Sequence, residues 1–156
     1  MLKTEVKFEQ TGTRPFKGKI DAIIGHDLGN VLNNTVMEEL IASANDLRNE
    51  MIRSMEKSPA TGRRYRRTKD NRYHTASSPY NPPRRDYGNL IISLIPDIRE
   101  DEVEVGSIIE DPPYPFYLEE GTKYMKPRPW ADPALETIQP KMESNIARAI
   151  AASTGM

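Results

Sequence analysis

Prolines divide this chain of 156 residues into two unequal parts, because twelve of its thirteen prolines lie at or after Pro59. Between about Asp21 and Lys57 there is no proline, and apolar residues recur at steps of three and four, which is typical of an amphipathic helix. The pattern predicts a helix that begins near Asn30 and runs for about 27 residues, or about 40 Å. The pair Ser58-Pro59 ends it, because proline disfavours helical backbone in the preceding residue. The apolar positions are Leu28, Val31, Leu32, Val36, Leu40, Ile41, Ala44, Leu47, Met51, Ile52 and Met55.

Short strands and loops are predicted on either side of this helix. KTEVKF, residues 3–8, predicts a short strand, and the following TGTRPFKG predicts a turn. Residues 59–88 predict a long irregular basic loop, with a β-hairpin arm around the Lys69-Asp70-Asn71 tripeptide. NLIISLIP, residues 89–96, has the length and β-branched composition of a strand. EVEVGS, residues 102–107, alternates as a half-buried strand does.

The last part of the chain predicts a second helix. Asp132 is placed as its N-cap and Pro133 as its first residue, and Pro140 is expected to kink it early. We therefore expect an α+β fold in which residues 1–156 form one domain, with residues 58–88 as an extended basic loop. A long N-terminal helix and a C-terminal helix pack on a small, mainly antiparallel β-sheet. The apolar stripe of the last helix is Leu135, Ile138, Met142, Ile146 and Ile150.

The net charge of −1 conceals two oppositely charged stretches. Eight bases and one acid lie between Thr61 and Arg85, whereas seven acids and one base lie between Asp97 and Asp111. Opposite patches suit head-to-tail contact between copies of the chain, and the alternative is two solvated surfaces without a partner. Only 37% of the residues are hydrophobic, so we expect exposed loops and further burial against partners.

Sequence motifs for catalysis, metal binding and membrane insertion are not found. There is no cysteine, and the two histidines, His26 and His74, lack a metal-ligand spacing. We expect His74 to be a surface residue. The adjacent acids Glu119 and Glu120 point in different directions and do not converge on a substrate. No nucleophile elbow, phosphate loop, signal peptide or membrane-spanning segment is present, so we expect a soluble protein without cofactors that is not an enzyme.

A run of arginines interleaved with tyrosine, RRYRRTK, offers a candidate contact with DNA or with an acidic partner. Arginine neutralises phosphate, and tyrosine stacks on unpaired bases. A flexible charged arm with neither role is the alternative. The candidate contact residues are Arg63, Arg64, Arg66, Arg67, Lys69 and Arg72.

Three pieces of sequence, taken in order, resemble one family. They are the long helix ending in SPATGR, the segment SSPYNPPRRDYGNLIISL, and VEVGS followed by YPFYLEEGTKYMKPRPWADPALE. Together they resemble the small tail-completion, or head–tail joining, proteins of long-tailed bacteriophages. That family has a Tyr-x-x-Tyr-aliphatic-Glu-x-Gly-Thr segment and a Pro-aromatic-x-x-Pro-Ala start to its last helix. The matching positions are Tyr114, Tyr117, Leu118, Glu119, Gly121 and Thr122, then Arg128, Pro129, Trp130, Pro133, Ala134 and Leu135.

The sequence departs from the family pattern at two positions and in one loop. Glu120 stands where relatives commonly have an aromatic residue, Trp130 stands where they have phenylalanine, and the basic loop is longer. We expect Gly121 to permit a tight turn, with Tyr117 and Trp130 as packing anchors on either side of it.

The resemblance implies a non-enzymatic virion protein, made in the bacterial host cytoplasm and located in the neck. Six or twelve copies would form a closed ring between the head connector, or portal, and the tail tube. Its partners would be itself, those connector and tail proteins, and packaged DNA through nonspecific contact, with no membrane. Alternatives are a tail terminator that caps the tail tube and a nucleic-acid-binding module that acts through the arginine-rich loop. The implied structural or interface residues are Tyr114, Tyr117, Glu119, Gly121, Thr122, Arg128, Pro129 and Trp130.

Overall fold

A computed structural model of the chain describes residues 5–11, 17–23, 29–99 and 102–154, and the side chains of residues 34–99 and 103–153. It contains the strands β1 (Glu5–Thr11), β2 (Lys17–Ile23), β3 (Arg64–Arg66), β4 (Tyr73–Thr75), β5 (Leu94–Ile98) and β6 (Glu102–Ser107). Its helices are α1 (Gly29–Glu56), α2 (Asn89–Ser93), α3 (Tyr114–Glu120) and α4 (Asp132–Thr154). The expected α+β class is confirmed.

The main sheet is antiparallel and has the strand order β1-β2-β6-β5. Val103 of β6 stands opposite Ile20 of β2 and Ile98 of β5, so one register runs across three strands. Val103 and Val105 are fully buried on the face that meets α1. The expectation of a half-buried β6 was wrong, because all of its residues from Val103 to Ser107 are buried.

The two long helices pack on each other and build most of the core. The predicted apolar stripe of α1 is confirmed over Val36–Met55, and Met142 and Ile146 from α4 are buried against it. Leu28, Val31 and Leu32 lie outside the residues whose side chains are described. Arg48 in α1 donates from Nε to the Leu94 carbonyl at 2.7 Å and so ties the helix to β5. Helix α1 therefore packs on the main sheet at β5 and β6, and α4 packs on α1.

The apolar run at residues 89–96 differs from the single strand that was expected. Its first five residues form α2, and β5 begins at Leu94. The Ser93 hydroxyl lies 2.6 Å from the Leu90 carbonyl and 2.7 Å from the buried Ser107 hydroxyl. The bond to the Leu90 carbonyl requires a helical turn, because only such a turn brings a serine side chain within reach of the carbonyl three residues back.

Two further expectations are corrected at the ends of elements. The helical pattern was expected from about Asp21, but residues 21–23 belong to β2, whereas the predicted helix start near Asn30 is confirmed at Gly29. The predicted turn before β2 overlaps residues 12–16, which lie outside the described part. Asp132 is the first helical residue rather than the N-cap, since Leu135 N–H donates to the Ala131 carbonyl at 2.9 Å. Pro140, where a kink was expected, lies inside α4.

Candidate interaction site at the corner and the hairpin

The motif segment forms a corner, defined here as residues 114–134, that joins α3 to the start of α4. Gly121 ends α3 with φ 77° and ψ 176°, a conformation in which other residues are strained. A Cβ atom at Gly121 would lie 2.9 Å from the Met125 carbonyl oxygen and from the Pro127 nitrogen. The Thr122 hydroxyl accepts the N–H groups of Tyr124 and Met125, both at 3.1 Å. The predicted tight turn is therefore confirmed.

Glu119 fastens the corner to α4. Its carboxylate accepts three backbone N–H groups, from Trp130 at 2.6 Å, Ala131 at 2.9 Å and Asp132 at 3.0 Å. These donors lie at the N-terminus of α4, where unsatisfied N–H groups and the helix dipole favour an anion. Burial raises the pKa of the Glu119 carboxyl, and the three N–H donors act in the opposite direction. Glu120 beside it is exposed, so the two acids do diverge as expected.

Trp130 is the packing anchor of the corner, whereas Tyr117 is not. The Trp130 side chain is fully buried, and its indole N–H donates to the Pro115 carbonyl at 3.0 Å. The side chain of Tyr117 is 40% exposed, which contradicts the prediction of a second anchor. It is on the outer side of α3 in edge contact with Phe116, so it stays a candidate interface residue. Pro129, next to the anchor, is half-buried.

The basic loop contains the hairpin arm that its sequence predicted. Strands β3 and β4 pair Arg64 with Thr75, Tyr65 with His74 and Arg66 with Tyr73. At its base, Gly62 N–H donates to the Ala76 carbonyl at 2.7 Å, and a Cβ atom at Gly62 would lie 2.1 Å from the Ser77 oxygen. The hairpin base therefore requires a residue without a side chain at position 62.

Arg67 differs from the other candidate DNA-contact residues, because its guanidinium is engaged in contacts within the protein. Arg67 pairs with Asp86, donates to the Asp86 carbonyl at 3.1 Å, and lies 4.6 Å from the centre of the Tyr87 ring. The guanidinium of Arg64 lies 4.4 Å from the centre of the Tyr73 ring, and the Lys69 ammonium 5.6 Å from that of Tyr87. The exposed bases of the set are Arg63, Arg64, Arg66, Lys69 and Arg72.

His74 is buried, which corrects the expectation of a surface histidine. Only 6% of it is exposed, its ring meets Tyr65 edge-on at 5.4 Å, and its Nδ1 lies 3.6 Å from Asp86 Oδ1. Burial lowers the pKa of His74, and Arg67 and Arg84 lower it further, whereas Asp86 acts in the opposite direction. Burial and the 2.8 Å bond to Asp86 raise the pKa of Tyr65 to about 12.

A cavity of about 690 Å³ lies where the corner meets the hairpin. Tyr114 and Arg128 from the corner and Arg63 from the hairpin all line it, so both predicted groups of residues contribute. Arg128 donates from Nε to the Ser77 carbonyl at 3.1 Å and thereby joins the two regions. The sequence did not indicate Ser77, His74, Arg84, Arg85, Asp86 or Tyr87 as lining residues, because they meet the others only through the tertiary fold.

Neither metal-binding residues in the described part of the chain nor similarity to known proteins indicates an activity. Within the described residues, no group of three or more His, Asp or Glu side chains could hold a metal ion, and no helix there has the length and apolar character needed to cross a membrane. No protein-family profile, characterised protein or solved structure matches this chain. The corner, the hairpin and the surface around them are the features of the described residues that bear on function.

Proposed function

We propose that this chain is a structural protein of a long-tailed phage that forms a homo-oligomeric ring at the head–tail interface. The observation that carries the proposal is the number of large apolar and aromatic side chains left at the surface of a single copy. Among the described residues, eleven are more than a third exposed. They are Tyr65, Tyr73, Tyr80, Tyr87, Tyr117, Tyr124, Phe116, Ile92, Ile95, Ile98 and Ile108.

Exposed side chains of this kind suit an interface between subunits. Tyrosine is enriched in protein interfaces because it combines a large apolar ring with a polar hydroxyl. Tyr73, Tyr80 and Tyr124 are each at least 60% exposed. Tyr73 lies on the hairpin arm, Tyr80 in the proline-rich segment SSPYNPP, and Tyr124 on the corner. A ring in which neighbours cover these three regions would complete the burial that a single copy lacks.

The corner also supports an architectural role for the motif on which the resemblance depends. The Glu119 carboxylate accepts hydrogen bonds from three backbone N–H groups, and the backbone conformation at Gly121 requires glycine. A motif of this kind fixes the direction of α4 relative to the rest of the chain. Head-to-tail rings need such fixed geometry, because a small error in each interface prevents closure.

The mass of the purified chain in solution tests this proposal. We expect light scattering to find a discrete oligomer of six or twelve copies whose stability falls with added salt, since opposite charges steer the contact. A monomer at every protein and salt concentration would overturn the ring.

A nucleic-acid-binding module is the second candidate, and the hairpin surface favours it. Arg64 stacked on Tyr73, with Arg66 and Arg72 exposed nearby, combines phosphate-binding charge with an exposed ring. We expect weak, salt-sensitive DNA binding without sequence preference. Tight binding by a chain that stays monomeric would favour this second function over the ring.

A further inference from the structure

One face of the hairpin arm lines the cavity at the corner. Side chains alternate between the two faces of a strand, so residues two apart share a face. Tyr65 and His74, which pair across the hairpin, both line the cavity. Arg63 and Ala76 continue this pairing, with the Ala76 N–H donating to the Arg63 carbonyl at 3.0 Å, and they line the cavity too. Arg66 is exposed outside it, so the cavity and the outer hairpin surface are separate.

The cavity lining carries positive charge that the chain does not neutralise. Three of its arginines have no carboxylate within ion-pair distance in the described part of the chain. They are Arg63, Arg84 and Arg128. The one carboxylate in the lining, Asp86, is engaged by Arg67 and by the Tyr65 hydroxyl. Arg85, a fourth lining arginine, lies 3.6 Å from Glu56 in an exposed pair. Unpaired cations around a concave site favour an anionic ligand.

Two of these arginines are fixed beside a buried hydroxyl that has no partner. Arg84 donates to the Thr75 carbonyl at 3.0 Å, and Arg128 donates from Nε to the Ser77 carbonyl at 3.1 Å. Each guanidinium has five N–H groups, so most of its donors stay available. Ser77 lines the cavity and is fully buried, and its Oγ has no hydrogen-bond partner among the described atoms. An unpaired buried hydroxyl is unfavourable, which indicates that a ligand or a water binds there.

The size and the composition of the cavity favour a phosphate that carries an aromatic group. A phosphate monoester has three terminal oxygens and about two negative charges, so it accepts hydrogen bonds from several guanidiniums at once. The volume of about 690 Å³ falls within the range of sites for small organic molecules. Tyr114 and Tyr124 line the cavity from the corner, and such rings stack on nucleic-acid bases. Met55 and Leu90 add aliphatic surface.

We propose that the cavity binds a nucleoside monophosphate, with its phosphate held by Arg84, Arg128 and the Ser77 hydroxyl. Its base lies against the tyrosine rings of the corner, and Arg63 adds positive charge from the hairpin. A free mononucleotide and the 5′-terminal nucleotide of a DNA strand present the same phosphate and base. The site lies within one copy, so it does not depend on the proposed ring.

Calorimetric titration of the full chain with thymidine 5′-monophosphate tests the site. We expect thymidine and inorganic phosphate each to bind at least about tenfold more weakly, because each makes only part of the contacts. Arg63→Gln and Ser77→Ala should each weaken binding of the nucleotide at least about threefold. Arg66→Gln is the matched control, because it makes the same change on the outer face of the same strand, and should alter binding less than about twofold.

The Ser77→Ala variant guards against a loss of binding that is caused by misfolding. It removes a hydroxyl without a partner, so thermal unfolding of the nucleotide-free chain should be unchanged or slightly shifted to higher temperature. Absence of nucleotide binding by the wild-type chain would overturn the site, whether or not rings form. Equal weakening in Arg63→Gln and Arg66→Gln would overturn it as well.

Two DNA probes distinguish the sources of the nucleotide. A short fluorescent thymidine oligonucleotide, with either a 5′-phosphate or a 5′-hydroxyl, is titrated with the full chain and followed by anisotropy. Tighter binding of the phosphorylated strand, lost in Ser77→Ala, supports the site and assigns it to strand ends. Equal binding of both strands, with binding of the mononucleotide retained, supports the site and assigns it to free nucleotide. Binding of both strands without the mononucleotide, weakened by Arg66→Gln alone, overturns the site in favour of the outer hairpin surface.

Discussion

Glu119 is the side chain on which the corner depends most. It reaches from the last turn of α3 to three backbone N–H groups at the start of α4. A capping residue normally acts on N–H groups two or three positions away, whereas Glu119 acts eleven to thirteen positions away. It therefore joins two helices as well as capping one.

Replacement of Glu119 is expected to destabilise the fold far more than replacement of its neighbour. In Glu119→Gln the amide NH₂ would face an N–H donor, which leaves at least one buried donor without an acceptor and costs about 1–3 kcal/mol of unfolding free energy. Glu120→Gln makes the same chemical change on an exposed side chain and should cost less than about 0.5 kcal/mol. Urea unfolding of both variants measures the difference. Equal effects would show that the three bonds contribute little.

His74 is expected to make stability depend on pH. The pKa of the His74 imidazole is lowered in the folded state. Above the unfolded pKa of about 6.5, the imidazole is neutral in both the folded and the unfolded chain and does not change the free energy of unfolding. Below that pH the unfolded chain takes up a proton that the folded chain resists, and stability falls until the folded pKa is reached. The groups around the imidazole are Tyr65, Arg67, Arg84 and Asp86.

The difference between wild type and His74→Asn isolates this effect. Both proteins share every other acid and base, so a larger loss of unfolding free energy in wild type between pH 7.5 and 5.5 reports the histidine. Unfolding curves at the two pH values provide the measurement. An equal loss in both proteins would contradict the assigned burial of His74.

At the scale of elements, the long helices and β6 could be predicted because their signals are local. Apolar spacing gave α1 and α4, and prolines marked where α1 ends. The boundary between α2 and β5 could not be assigned in this way. NLIISLIP is too short for periodicity to separate helix from strand, and the buried bond between the Ser93 and Ser107 hydroxyls at this boundary joins residues fourteen apart.

The candidate site was predictable in part for the same reason. Gly121 was identified because a tight turn leaves a local signature, and the arginines were identified by composition. The role of Glu119, the burial of His74 and the cavity all arise from segments far apart in sequence. Nothing in the spacing of Arg63, Ser77 and Arg128 indicates that they line one cavity.

The hairpin arm should depend on Arg67 and not on Arg66. Arg67 joins the hairpin to Asp86 and Tyr87, whereas Arg66 is exposed on β3. We expect Arg67→Ser to speed hydrogen exchange of the β3 and β4 amides at least about tenfold, because local opening needs less free energy once that anchor is lost. Arg66→Ser should leave exchange unchanged. Similar exchange in both variants would show that the arm is held by its own strand pairing.

At the scale of the whole molecule, a single copy has a well-packed centre and a surface that suits assembly. Trp130, Leu47 and Met142 are fully buried, so the helices and the sheet complete one core. Eleven large side chains remain exposed outside that core among the described residues, and basic and acidic stretches occupy different segments. Such a surface is expected of a subunit whose neighbours cover it.

Electron microscopy of the purified chain shows directly whether its copies assemble into closed rings. We expect closed rings of six or twelve copies with a central opening. Single copies at every protein and salt concentration examined would contradict this expectation.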